Sequence, residues 1–194
     1  MERTLVIGQW TLDIRRAAAV VLGALIVAAA AQVSIPLPGT PVPMTLQPMA
    51  VLLVGGLLGA PLGALSMILY LAMGAAGLPV FTPTVPLVGL ARLLGPTGGY
   101  LLAYPIAAYA VGRLSDPRRQ PGVNEPSWVR AAVGVVAGLV LIHLGGLAQL
   151  AILTGNISAA ARFGTLPFLL GDLLKIALLV PVLTKFTPTS RARL

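Results

Sequence analysis

Apolar residues run through this chain in long blocks that are broken by proline and glycine rather than by charge. Residues 17–112 contain a single charged side chain, Arg92. A bilayer-spanning helix takes about 20 apolar residues, so this stretch holds several spans separated by Pro/Gly punctuation. The first span covers 15–32. It stops before Ser34-Ile35-Pro36-Leu37-Pro38-Gly39-Thr40-Pro41-Val42-Pro43, where four prolines forbid a helix. The second span covers 45–58 and breaks at Gly59-Ala60-Pro61, which places a proline at a helix start. The third covers 62–77, and residues 78–88, with three prolines, read as a loop. The fourth begins near Leu93 or Thr97 and ends near Leu114. Residues 115–126 form the only extended polar segment. A fifth span follows over 128–154, with Trp128 suited to the interface, then a short link over 155–164 and a sixth span over 165–185. The second and third spans are short and glycine-rich, which blurs their edges and leaves five or seven spans as alternatives to six.

Composition agrees with this pattern. The chain has 194 residues, of which 57% are apolar and only 9% charged, with a mean hydropathy of +0.95. A soluble domain carries roughly a quarter charged residues, so a soluble globule is excluded. The net charge of +8 suggests nucleic acid only until the positions are read. The basic residues are too few and too separated to make a phosphate-binding face. With the N-terminus cytoplasmic, Arg3, Arg15, Arg16, Arg113, Arg118, Arg119, Arg130, Lys185, Arg191 and Arg193 fall on the inner side, against Arg92 and Arg162 outside. That bias supports six spans with both termini inside. The chain divides into a cytoplasmic N-terminal segment (1–14), one six-helix transmembrane domain (15–185) and a cytoplasmic tail (186–194). Arg15-Arg16 followed by a small apolar run also resembles a signal peptide, but no globular domain follows it. There is no cysteine, which removes disulfides and thiolate chemistry.

Neither a phosphate loop nor an H-E-x-x-H or other metal-ligand cluster occurs in the sequence. His143, the single histidine, sits in mid-span. There it serves either as a hydrogen-bonded helix contact or as a ligand or relay group. The informative pair is Asp172 and Lys175. A charge at the membrane centre costs about 2.5–3.5 kcal/mol on insertion scales, and two in one otherwise apolar span need a reason. At i and i+3 they share a helix face. They form either a structural ion pair or part of a polar cavity wall that accepts N–H groups at Asp172 and donates from Lys175. Both lie in the outer half of the sixth span. The same topology brings Gln32, Ser34, Thr40, Thr45, Gln47, Arg92, Thr97, Tyr100 and Asn156 to the outer ends, whereas the inner halves are nearly all Ala, Leu, Val and Gly. This describes an outward-facing pocket under loop cover, not a pore. Gly98-Gly99 permits close approach of backbone to a ligand or a helix. Tyr100 and Phe81 supply aromatic wall, and Arg92 either attracts a carboxylate or anchors at headgroups. In the first span, Ala24-x-x-x-Ala28 and Ala19-x-x-x-Gly23 make small-residue faces, for packing within the chain or for docking to a separate membrane subunit.

Three segments together resemble the BioY family of biotin-binding substrate (S) components of energy-coupling-factor transporters. They are Pro41-Val42-Pro43-Met44-Thr45-Leu46-Gln47, Leu94-Gly95-Pro96-Thr97-Gly98-Gly99-Tyr100-Leu101 and Gly171-Asp172-Leu173-Leu174-Lys175. The resemblance covers about 15–185. It implies an all-α fold of six transmembrane helices with cytoplasmic termini in a bacterial or archaeal cell membrane. It implies high-affinity biotin capture from outside, with no cofactor or metal and no chemistry on the substrate. It also implies a membrane-embedded coupling subunit, docked at an Ala-x-x-x-Ala-like pattern that Ala24 and Ala28 match, and cytoplasmic ABC-type ATPases. On this resemblance Asp172 and Lys175 contact the ligand. Thr45, Gln47, Arg92, Tyr100, Phe81, Gly98 and Gly99 are further site candidates, argued from depth and chemistry. An S component for another small vitamin, a standalone secondary transporter with only Asp172 for coupling, and a membrane enzyme remain the alternatives.

Overall fold

The computed structural model describes residues 2–116 and 127–192. Arg118, Arg119 and Arg193, counted above among the inner positives, lie outside the described residues. The rest form eight α-helices and one small hairpin. In chain order these are α1 (Glu2–Gln32), β1 (Ser34–Ile35), β2 (Met44–Thr45), α2 (Gln47–Leu58), α3 (Ala60–Ala75), α4 (Leu90–Leu94), α5 (Gly98–Leu114), α6 (Ser127–Thr154), α7 (Ile157–Gly164) and α8 (Leu169–Ala192). A 3₁₀ turn at Leu166–Phe168 leads into α8.

Six of these helices, α1, α2, α3, α5, α6 and α8, occupy the six expected spans. The proline-rich stretch after α1 is not helical, as its composition requires, but it returns on itself. β1 and β2 pair antiparallel, with Ser34 opposite Thr45 and Ile35 opposite Met44. The link expected over 155–164 is instead a short helix, α7. Asn156 starts it by accepting the backbone N–H groups of Ser158 and Ala159 at 2.9 and 3.1 Å. The first helix begins at Glu2, so residues 2–14 continue α1 without a break. Likewise α8 runs on past 185 to Ala192.

Among the described residues, three segments are long and apolar enough to cross a membrane: Asp13–Gln32, Ser127–Thr154 and Ile157–Thr187. Helices α2 and α3 have 12 and 16 residues. At 1.5 Å per residue, α2 spans roughly 18 Å, well short of a hydrocarbon core of about 30 Å.

Small residues set how closely the helices pack. Gly59 joins α2 to α3 at φ 86°, a conformation that disfavours any side chain, and Pro48 and Pro61 fall in the first turns of α2 and α3. A β-carbon at Gly55 would lie 2.5 Å from the Ala108 carbonyl oxygen of α5, and one at Gly99 would lie 2.1 Å from the Gly145 oxygen of α6. The backbones therefore touch at both crossings. The two ends of the bundle are distinct. At one end the α2–α3 turn abuts Gly112 of α5, and Ser115, Arg130 and Thr187 from α5, α6 and α8 meet around a small pocket. At the other end lie the hairpin, the 78–89 loop and α7, the hairpin held to α7 by Thr40 donating to the Phe163 carbonyl at 2.7 Å.

The small-residue pattern of α1 turns inward. Ala24 is fully buried, and a β-carbon at Gly23 would meet Ser66 and Val54. Ala19 and Ala28 are half-buried. Gly23 and Ala24 thus pack within the chain, against α2 and α3, which is one of the two readings of this pattern. The face that α1 leaves open carries Val21, Leu22, Leu25 and Ile26 instead.

Candidate functional site

A cavity opens at the end of the bundle that holds the hairpin and the 78–89 loop. The turn after β2 and the start of α2 supply Thr45, Gln47 and Pro48. The loop and α4 give Phe81, Thr82 and Arg92, and the approach to α5 gives Thr97. From α5 come Tyr100, Leu101 and Tyr104, from α6 come Leu139, Ile142 and His143, and from the last elements come Phe168, Asp172 and Lys175. Apolar and aromatic groups dominate, with a few convergent polar groups, which is the composition of a small-ligand site.

Asp172 is the centre of the polar wall. Its Oδ1 accepts from Lys175 Nζ at 2.7 Å, one turn along α8. Its Oδ2 lies 2.6 Å from His143 Nε2 on α6. Both α8 side chains are about nine-tenths buried. The carboxylate is thus held by donors from two helices, and it keeps lone pairs that are not engaged. Tyr100 stands edge-on to the imidazole, ring centroids 6.4 Å apart, and Phe168 flanks it at the same separation.

The opposite wall is a second polar chain. Thr45 donates to Gln47 Oε1 at 3.2 Å. Gln47 Nε2 donates to the Tyr70 hydroxyl at 2.5 Å, and Tyr70 donates to the Val80 carbonyl at 3.2 Å. Phe81 packs edge-on to Tyr70 at 5.4 Å; its ring occupies the space that Gly74 leaves free of a side chain.

Arg92 is 1% exposed, so it does not sit among headgroups. Its guanidinium donates to the carbonyls of Thr82 at 2.9 Å, Val85 at 2.6 Å and Leu87 at 3.5 Å. It therefore gathers the 78–89 loop around itself. Its Nε has no hydrogen-bond partner, and neither does Thr97 Oγ1; both residues line the cavity. Tyr100 donates to the Gly164 carbonyl at 2.5 Å, joining α5 to the end of α7.

Of the residues singled out from the sequence, Thr45, Gln47, Phe81, Arg92, Tyr100, Asp172 and Lys175 meet at this cavity. Gly98 and Gly99 do not line it. A β-carbon at Gly98 would collide with the Leu93 carbonyl, and one at Gly99 with that of Gly145. Their smallness therefore serves the junction of α4, α5 and α6. Sequence reasoning left out Tyr104, Thr82 and Phe168 and did not commit His143 to the site. Tyr104 follows Tyr100 by one helical turn and shares its face, a signal open to the eye. Thr82 and Phe168 lie in loop and turn segments whose path no periodicity gives. Among the described residues no group of three His, Cys, Asp or Glu side chains could hold a metal ion.

A helical bundle rich in membrane-length segments, with one end built as a small-solute cavity around a shielded charge cluster, defines a membrane solute-binding protein. The chain belongs to the BioY family, whose sequence profile matches residues 2–192. It is 39% identical over 137 residues to a probable biotin transporter BioY of Pyrococcus horikoshii, covering 71% of this chain and 75% of that one. It is 37% identical over 146 residues to the biotin transporter BioY of Thermotoga maritima, covering 75% and 80%. Its fold matches a crystal structure of the S component for biotin from an ECF-type ABC transporter. That match has a TM-score of 0.79 and 25% identity, over 92% of this chain and 94% of that one.

Proposed function

We propose that this chain captures biotin at the outer face of a bacterial or archaeal cell membrane for uptake. A membrane-embedded coupling subunit and cytoplasmic ABC-type ATPases supply the energy. In this reading α1, α2, α3, α5, α6 and α8 are six membrane passes with both termini cytoplasmic, residues 15–185 form the membrane domain, and the cavity faces outward. Arg92 and Arg162 are then on the outside, while Arg113 and Arg130 mark the inner end, as charge bias requires. The chain is a binding subunit, not an enzyme; it takes biotin as its ligand and needs no metal or cofactor.

The observation that carries the reading is the cavity wall at Asp172. Biotin offers a ureido head with two N–H donors and one C=O, an apolar bicycle, an aliphatic tail and a carboxylate. Asp172 accepts a ureido N–H, and Lys175 donates to the ureido oxygen. Tyr100, Phe81 and Phe168 sandwich the bicycle. The carboxylate lies toward the loops, within reach of Arg92 Nε, which has no partner of its own.

A ligand screen by thermal unfolding of the purified protein tests this. Saturating biotin at about a thousand times Kd stabilises by about 4 kcal/mol, or roughly 8–16 °C for a chain of this size. Riboflavin and thiamine leave the transition in place. Stabilisation by either of those, with none by biotin, overturns the assignment.

A further inference from the structure

The ion pair of Asp172 with Lys175 is complete on α8 alone, yet His143 reaches it from α6. That arrangement has a cost. The His143 Nδ1 atom is buried and makes no hydrogen bond, and buried polar atoms are seldom left so without a reason. The ring itself is fixed, with Tyr100 edge-on at one side and Phe168 at the other. A carboxylate only accepts hydrogen bonds, so the 2.6 Å contact to Asp172 Oδ2 places the proton on Nε2. The imidazole therefore donates from Nε2 to Asp172.

We infer that His143 is a positioning residue for the ligand: it holds Asp172 as an oriented acceptor facing the cavity and so favours solutes that present N–H donors there. This rests on the reading of the cavity as a biotin site and adds a residue to it. The physical reason for a second donor lies in Lys175. When that ammonium turns toward a ligand carbonyl, its grip on Asp172 Oδ1 is shared. The imidazole bond to Oδ2 keeps the carboxylate from rotating toward the ammonium and away from the ligand. Two donors on opposite oxygens leave one lone pair on each for the solute.

Three variants and one spectrum test this. His143→Leu removes the donor at similar bulk and weakens biotin binding about 10- to 100-fold, the size of a lost hydrogen bond to a charged group. His143→Gln carries an amide N–H to nearly the place of Nε2 and recovers most of the loss. In an Asp172→Asn background, His143→Leu has no further effect. An analogue N-methylated on the ureido ring shows a smaller difference between parent and His143→Leu than biotin does. The single histidine of the chain also allows a direct reading, since ¹⁵N shifts of the ligand-free protein report a proton on Nε2. Equal biotin affinity in the parent and His143→Leu overturns the inference. So does an equal loss in the Leu and Gln variants, which means bulk alone matters. A spectrum that puts the only ring proton on Nδ1 overturns it without any ligand. Failure of the parent to bind biotin at all is a different result, because it overturns the ligand assignment of the preceding section while the spectrum still judges the His143–Asp172 bond.

Discussion

Stability and binding should separate at the Asp172–Lys175 pair, and the direction of each can be worked out in advance. Both side chains are about nine-tenths buried, 2.7 Å apart. Lys175→Met leaves the carboxylate buried with His143 as its remaining donor. Removing one member of a buried pair costs about 3–5 kcal/mol, and the surviving histidine contact puts this case at the lower end, about 3 kcal/mol. For a chain of this length that lowers Tm by roughly 6–12 °C. The double variant Asp172→Leu/Lys175→Met removes both charges and fills the space with apolar atoms, an exchange that is often neutral or stabilising. It leaves the Nε2–H of His143 without an acceptor, a cost of about 1 kcal/mol. Ligand-free thermal unfolding should therefore rank parent and double variant close together, with Lys175→Met well below both. Biotin titration should rank them otherwise, with both variants weakened about 100-fold or more. A double variant as unstable as Lys175→Met would mean that the pair is not the source of the loss. A double variant that binds biotin like the parent would remove the pair from the site.

Arg92→Ala takes the donor from three loop carbonyls; hydrogen exchange over residues 80–89 should accelerate, Tm should fall by several degrees, and Arg92→Lys should recover part of the loss because one ammonium cannot span the same fork. Unchanged exchange in Arg92→Ala would show that the loop holds itself. A methyl group at Gly146 would lie 2.0 Å from the Tyr100 ring, so Gly146→Ala should tilt that ring, break its bond to Gly164 and weaken biotin binding by roughly tenfold or more. Tyr100→Phe, which loses only a neutral hydrogen bond of about 1 kcal/mol, should cost about fivefold. The chain has no cysteine, so single cysteines report topology without background. Asn156→Cys should react with a membrane-impermeant thiol reagent in intact cells and Arg113→Cys should not; the reverse pattern inverts the orientation.

Much of this could be read before the fold was known, for identifiable reasons. The helices α1, α2, α3, α5, α6 and α8 stand out because prolines and Gly59 interrupt apolar runs at places where a helix must stop. Asp172 and Lys175 stand out because ionisable residues are rare in such runs, and their spacing alone puts them on one face. The helix α7 was missed because it is a local event: Asn156 ahead of Ile157 and Ser158 is a capping signal, outweighed by the small polar residues around it. The second partner of Asp172, His143, was not foreseen because it depends on two helices crossing at one height, which nothing in the sequence of α6 states. Arg92 was assigned the right wall for an incomplete reason. Its charge was read as facing outward, whereas burial turns most of its N–H groups to the backbone of its own loop. The small residues of α1 left packing and docking both open because a one-dimensional pattern carries no information on which side of the helix the rest of the chain lies.

The floor of the cavity has one more consequence. Below His143 and Tyr104 the helices pack closely: Leu52 and Val111 fill the space beside Gly138, and Gly55 rests on the backbone of Ala108. The protein is a cup with a sealed base. Under the proposed function a cup moves one molecule per excursion, so its throughput is capped by how often it is turned over, not by the solute gradient. An idle copy, lacking a water-filled thread from rim to base, should add no ionic conductance to the membrane that holds it.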